Sequence, residues 1–265
     1  MVAVPSSLPT TREVSRWVTP VARTGYAAKG LVYLVIGGLA VRAAFDSSAP
    51  RDADGALRWL RESTAAEWLL AGIAAGLAAF VLWRLVQAFI DPEHPGFEAK
   101  RLPLRFFRIG SAVIYASLAW TALALTYGDG GAVRDEEAMA AYLMLQPMGR
   151  WLAAGVGLGI IGYGLYQVWR GIVAKVEDHM RFDSEAARRR IVAIARVGVF
   201  ARGVVLVLIG GFLVTAAWRY DPSAAGGTEE ALRALGPEWL LFAVAVGLVA
   251  YGIYQLAEAR YRRIG

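Results

Sequence analysis

Seven of the polar residues set in apolar sequence could form a site: Lys29, Arg84, Gln167, Arg170, Arg202, Gln255 and Glu258. Their spacing is regular. Positions 76, 80, 84 and 87 are three or four residues apart and so share one helical stripe. The stripe recurs at 159, 163, 167, 170 and again at 247, 251, 255, 258. Across the copies the layers are Gly76/Gly159/Gly247, Phe80/Tyr163/Tyr251, Arg84/Gln167/Gln255 and Gln87/Arg170/Glu258. Lys29 and Arg202 occupy matching positions of a second repeated stretch. Cations and amides gathered around one acid, Glu258, could hold an anion or an acidic lipid headgroup, since ionisable groups inside apolar helices often form sites. The competing explanation is structural: interhelical hydrogen bonds, with long side chains snorkelling to the headgroups.

Other chemistries find no support in the residue types. Cysteine is absent, which removes disulfides, thiolate ligands and thiol nucleophiles. The two histidines, His94 and His179, each follow an acid, and neither belongs to a His-x-x-x-His pattern, so no metal is expected. The glycines lie within apolar runs without the Lys-Ser/Thr of a phosphate-binding loop, and no Ser/His/Asp set suggests a hydrolase. No enzyme activity and no cofactor are expected. Arg42 has an acid four residues on, Asp46, with which to pair.

The elements that must position these residues are membrane helices. The chain has 265 residues, 57% apolar and 19% charged, against about 45–50% and 25% for soluble domains. Apolar segments run over about 26–45, 67–90, 106–128, 149–172, 197–218 and 238–258. They lack strand-like alternation, and Ile109–Gly128, Trp151–Trp169 and Trp239–Ala257 are free of charge. The segments between them differ in charge: one set carries 20 Lys and Arg against 9 Asp and Glu, the alternate set 8 against 13. The positive-inside rule then predicts both termini on the cytoplasmic side of the membrane. That asymmetry accounts for the net charge of +6 without nucleic acid. Ala56–Leu60, Ala138–Leu143 and Ala231–Leu235 predict a short amphipathic surface helix in each outer loop, and the charged stretch Val173–Arg196 suits a helix that extends the fourth span.

Residues 1–22, with Pro5, Pro9 and Pro20, read as a flexible leader. The run that follows could pass for the core of a secretory signal. However, Arg23-x-Gly25-x-x-x-Lys29-Gly30, ending Ile36-Gly37-Gly38, is rebuilt in mid-chain from Arg196 to Gly211, so it belongs to the fold. The units are 23–100, 101–190 with a cytoplasmic linker, and 191–265. Gly37, Gly76, Gly159, Gly210 and Gly247 are expected to let helix backbones approach closely, with Gly72/Gly76 and Gly155/Gly159 making smooth faces; a solute path past bare backbone is the other reading.

The tandem Arg-x-Gly pattern, the Gly-Leu-x-x-Tyr-Gly-x-Tyr-Gln stretch ending at Gln255 and the terminal Glu258-Ala-Arg260-Tyr-Arg262-Arg263 together resemble the bacterial domain-of-unknown-function family 1206. The resemblance spans about residues 15–265 and implies three two-helix membrane repeats, with no activity attached. The middle unit departs most, with Ser111-Ala112 for Lys29-Gly30 and Ala119-Trp120 for Gly37-Gly38. The expected fold is an all-α six-helix membrane bundle. Its function is read either as a small-solute channel, transporter or binder of anionic ligands or lipid headgroups, or as a non-catalytic scaffold or accessory subunit. The lipid bilayer is the expected partner, anionic lipids a possible one, and a homo-oligomer or a membrane partner is compatible with both readings.

Overall fold

The apolar runs are long enough, at about 1.5 Å per residue, to cross a hydrocarbon core of about 30 Å as helices. A computed structural model of the chain describes residues 11–46, 48–89, 102–127, 136–146, 148–173, 176 and 180–262. Its helices are α1 (Thr11–Asp46), α2 (Ala53–Arg61), α3 (Ala66–Phe89), α4 (Leu102–Thr126), α5 (Glu136–Met144), α6 (Gly149–Ile172), α7 (Glu185–Arg219), α8 (Thr228–Arg233) and α9 (Glu238–Tyr261). A 3-10 turn, Pro222–Ala224, precedes α8. Stretches of α1, α3, α4, α6, α7 and α9 are long and apolar enough to span a membrane. The protein is an all-α, six-span bundle.

Two expectations about boundaries are corrected. Helix α1 begins at Thr11, so residues 11–22 are helical and continuous with the first span, with Pro20 inside the helix. Residues 1–10 lie outside the described residues, as do His94 and His179. Secondly, α6 ends at Ile172, and the charged stretch instead lengthens α7 at its front. Ser184 starts α7 by accepting from the Ala187 amide at 3.2 Å, supplying one of the acceptors a helix start lacks. The linker is tied to the end of α9, where the Tyr254 hydroxyl donates to the Val176 carbonyl and Arg181 N–H to the Tyr261 carbonyl.

The short helices are held by their own caps. Asp52 accepts from the Gly55 amide at 2.7 Å to start α2, and Glu230 accepts from the Gly227 amide at 2.8 Å to start α8. Ala56 and Leu57 of α2 and Ala231 and Leu232 of α8 are buried in the core shared with the spans.

The second span of each repeat packs along the first span of the next: α3 on α4, α6 on α7 and α9 back on α1. The last two contacts are made of glycine. A Cβ on Gly164 would stand 2.9 Å from the Gly203 carbonyl oxygen, and one on Gly252 would stand 2.9 Å from that of Gly30. Gly157 meets Gly210 in the same way, one heptad further along. In lipid, small residues permit the close backbone approach that drives helix association.

Within repeats, α1 packs on α3 and α7 on α9, through Gly25 and Gly76 and through Gly198 and Gly247. Their counterparts α4 and α6 do not pack along their lengths. Phe107 explains it. It stands where Gly25 and Gly198 stand in the other repeats, and its ring lies 4.3 Å from that of Tyr163. Where glycine brings the partner backbone against α1 and α7, a phenyl ring keeps α6 off α4.

Candidate functional site

The site is built where the aromatic and basic layers of the stripe meet the basic position of the odd-numbered spans. Lys29, midway along α1, is 2% exposed. Its ammonium lies over three rings from three helices: Phe80 of α3 at 4.9 Å, Tyr115 of α4 at 5.3 Å and Tyr251 of α9 at 5.4 Å. The rings brace one another, Phe80 edge-on to Tyr115 and Tyr33 edge-on to Tyr251. Arg202 of α7 donates from Nε to the Tyr33 hydroxyl at 3.0 Å and lies 5.1 Å from the Tyr251 ring. Arg84 of α3 lies 4.8 Å from Phe80 and donates to the Gln87 amide oxygen at 3.0 Å. Its Nε is buried without a partner.

Lys29 is within electrostatic reach of Arg202 and Arg84, and also of the Glu258–Arg262 pair. None of Lys29, Arg84 and Arg202 forms an ion pair with a carboxylate among the described residues. Glu258, the acid of the stripe, is occupied: it accepts from Arg262 at 2.5 Å and from the Gln255 amide at 2.9 Å. Arg262 in turn lies 5.0 Å from the Tyr26 ring, whose hydroxyl accepts from Trp83 Nε1 at 3.2 Å.

Other basic residues serve helix ends. Arg196 donates to the carbonyls of Gly171 and Ile172 at the end of α6. Arg150 does the same for Ala217 and Trp218 at the end of α7, and Arg108 for Gln87 near the end of α3. These carbonyls have no partner within their own helices. Arg42 pairs with Asp46 at 2.9 Å.

The seven polar residues therefore separate into groups. Lys29, Arg84 and Arg202 come together around the aromatic layer, and Gln255 and Glu258 form a paired cluster with Arg262 beside them. Arg170 stands against Tyr166, 5.9 Å from its ring. Gln167 is buried, with its amide nitrogen lacking an acceptor. Of the aromatic layer, Phe80 and Tyr251 join the Lys29 cage, whereas Tyr163 lies tilted against Phe107 and stacks on Tyr166.

Among the glycines, a Cβ on Gly37 would meet the Val249 nitrogen at 2.7 Å and one on Gly210 the Gly157 carbonyl at 2.7 Å; Gly76 touches Ala28, and Gly247 touches Ala201. Gly159 is the correction: it faces open space, as do Gly72 and Gly155. Its would-be partner position on α4 is Gly110, which is also open, because Phe107 holds the two helices apart.

Tyr33 and Tyr115 belong to the cluster without being defining positions of any motif, and Arg262 joins it from the terminal motif, where nothing marks it as a site residue. The repeat offset carries the missing signal for two of them. Tyr33 and Tyr115 occupy equivalent positions one turn beyond Lys29 and Ser111. The heptad runs Gly157/Gly164/Gly171 and Gly203/Gly210 were likewise visible as spacing.

The profile of the family described as Domain of Unknown Function (DUF1206) matches residues 24–91, 108–174 and 197–262. The chain belongs to this family. Each match covers one pair of spans with the short helix between them, so the DUF1206 repeat is the structural hairpin seen here. One relative is the uncharacterized protein YxxB of Bacillus subtilis (strain 168), 31% identical over 96% of this chain and 94% of its own length. No solved structure matches the chain.

Proposed function

We propose that this DUF1206 protein is an anion-binding protein of the bacterial plasma membrane, with its site at Lys29, Arg84 and Arg202 and both termini in the cytoplasm. The observation that carries the reading is the grouping of three cations, Lys29 buried and Arg84 and Arg202 half-buried, none of them ion-paired among the described residues and with the one nearby acid, Glu258, already bound to Arg262; the basic residues beside them are each matched to carbonyls or a carboxylate. Removing a charge from water costs several kcal/mol per ion. Cation–π contacts contribute only about 0.5–2 kcal/mol each, and the cations also repel one another. A phosphate-type anion between them relieves both costs. The same site serves a small-solute transporter or a headgroup binder, and no catalytic step is assigned to it.

A second reading, a scaffold that docks a membrane partner, draws on the exposed apolar side of α6, with Trp151, Leu158 and Leu165.

The test is thermal unfolding of the full-length protein in neutral detergent, with inorganic phosphate titrated against chloride. Phosphate should raise the Tm of wild type, and Arg202→Gln should abolish the response. Without phosphate, Lys29→Met should unfold at a higher temperature than wild type, because it removes an uncompensated buried charge. A wild type insensitive to phosphate, together with a lower Tm for Lys29→Met, would return these residues to structural anchors.

A further inference from the structure

We propose that the gap between α4 and α6 is a lateral seam holding one acyl chain of an anionic phospholipid, whose phosphate sits on Arg202 and Lys29. The inference rests on the anion site proposed above and gives its ligand a class.

The seam shows in the exposure of equivalent positions. Val32 and Val205, on the first spans of repeats one and three, are 2% and 4% exposed; Ile114, their counterpart on α4, is 48% exposed. On the second spans, Ile73 and Val244 are 5% and 6% exposed, whereas Val156 of α6 is 48% exposed. Gly110 and Gly159 widen the same gap, each with no neighbour where a side chain would be. The walls are therefore apolar and slender, and the spacer that keeps them apart is Phe107 on Tyr163.

The inner end of the seam is basic. Arg202 lies within electrostatic reach of the Tyr115 and Tyr163 hydroxyls, one on each wall. Gln167 is one helical turn from Tyr163 on the same face of α6, and its amide N–H groups have no acceptor. An apolar slot that ends at cations and an open donor is complementary to a chain joined to an anion. A neutral lipid, a wholly apolar helix or a free anion would each satisfy only one half of it. Basic pockets between spans hold acidic headgroups in this manner.

The experiment uses the full-length protein in vesicles of phosphatidylcholine containing a photoreactive phosphatidylglycerol whose diazirine lies on the acyl chain. Crosslinks should map to peptides containing Ile114 and Val156, and a photoreactive phosphatidylcholine should not compete. Arg202→Gln should weaken phosphatidylglycerol labelling about fivefold, as expected for one lost basic contact. Val156→Trp, which fills the slot, should abolish labelling there yet keep the phosphate-induced rise in Tm. That last pair separates the two proposals. A phosphate response without seam labelling overturns the lipid assignment and leaves the anion site standing, and loss of both overturns both. Equal labelling by the two lipids makes the seam an ordinary lipid-facing groove. A disulfide dimer formed through Val156→Cys, in a chain with no native cysteine, would place a second copy in the slot and also refute the inference.

Discussion

Gly159→Ala and Gly164→Ala lie on one helix, five residues apart, and should move stability in opposite directions. Alanine favours helix over glycine by about 1 kcal/mol at either position. At Gly159 nothing else changes, since the added methyl meets no atom within 4 Å. At Gly164 the methyl would stand 2.9 Å from the Gly203 oxygen, 2.9 Å from the Val207 nitrogen and 2.8 Å from a Val207 methyl. Carbon contacts settle near 3.5–4.0 Å, and two of these atoms are backbone, so the clash cannot be relieved by turning a side chain. The helices α6 and α7 must separate along their whole glycine seam. Overpacking of this kind costs about 1–3 kcal/mol, which outweighs the gain in propensity. Net of the propensity gain, Gly164→Ala should thus be destabilised by up to roughly 2 kcal/mol and Gly159→Ala stabilised by up to about 1 kcal/mol. Unfolding both purified variants in mixed micelles, with far-ultraviolet circular dichroism as the readout, gives the ranking directly. Equal losses, or a greater loss at Gly159, would refute the account of where these helices touch.

Orientation is checked by a single cysteine at Ala186, exposed in the first turn of α7, which avoids disturbing the Ser184 cap. An impermeant maleimide should fail to label it in intact cells and succeed after lysis; labelling in intact cells would invert the topology. In the loop between α7 and α8, the Ser223 hydroxyl and amide both donate to Asp221, holding its carboxyl below the usual carboxylate range. Because the folded pKa is the lower one, the turn gains stability above the ordinary carboxylate pKa and loses it as pH falls through the depressed value. The protection of amides over 219–227, taken relative to the intrinsic exchange rate at each pH, should fall on acidification in wild type and respond less in Ser223→Ala; identical pH profiles of protection would exclude the hydrogen bonds as the cause.

The spans and their pairing into repeats were legible because length and apolar content alone decide whether a helix can cross a bilayer. The polar layers were legible because residues three and four apart share a helix face. Contact between helices was not readable from residue type. Gly159 and Gly76 are the same residue at the same repeat position, yet one faces space and the other faces Ala28. What differs is across the gap, at Phe107, where the other repeats have Gly25 and Gly198. That substitution lies in the sequence of α4, but its consequence falls on another helix. The charge-rich stretch before α7 posed the converse problem: its composition suits a helix, and only the Ser184 cap decides which span it joins.

The middle repeat also bears on why three copies would be kept unequal. With Lys29, Ser111 and Arg202 at equivalent positions, two of the three odd-numbered spans bring a cation to the centre and the third brings a hydroxyl. A third ammonium or guanidinium there would raise the repulsion that the aromatic rings already offset only in part. The same repeat has Phe107 in place of glycine, so the span that lacks the cation is also the one held away from its partner. Strict threefold repetition would close the ring of helices around three such charges, with Glu258 already taken up by Arg262. The two departures in repeat two, at positions 107 and 111, leave a smaller charge to neutralise and one wall open to the bilayer.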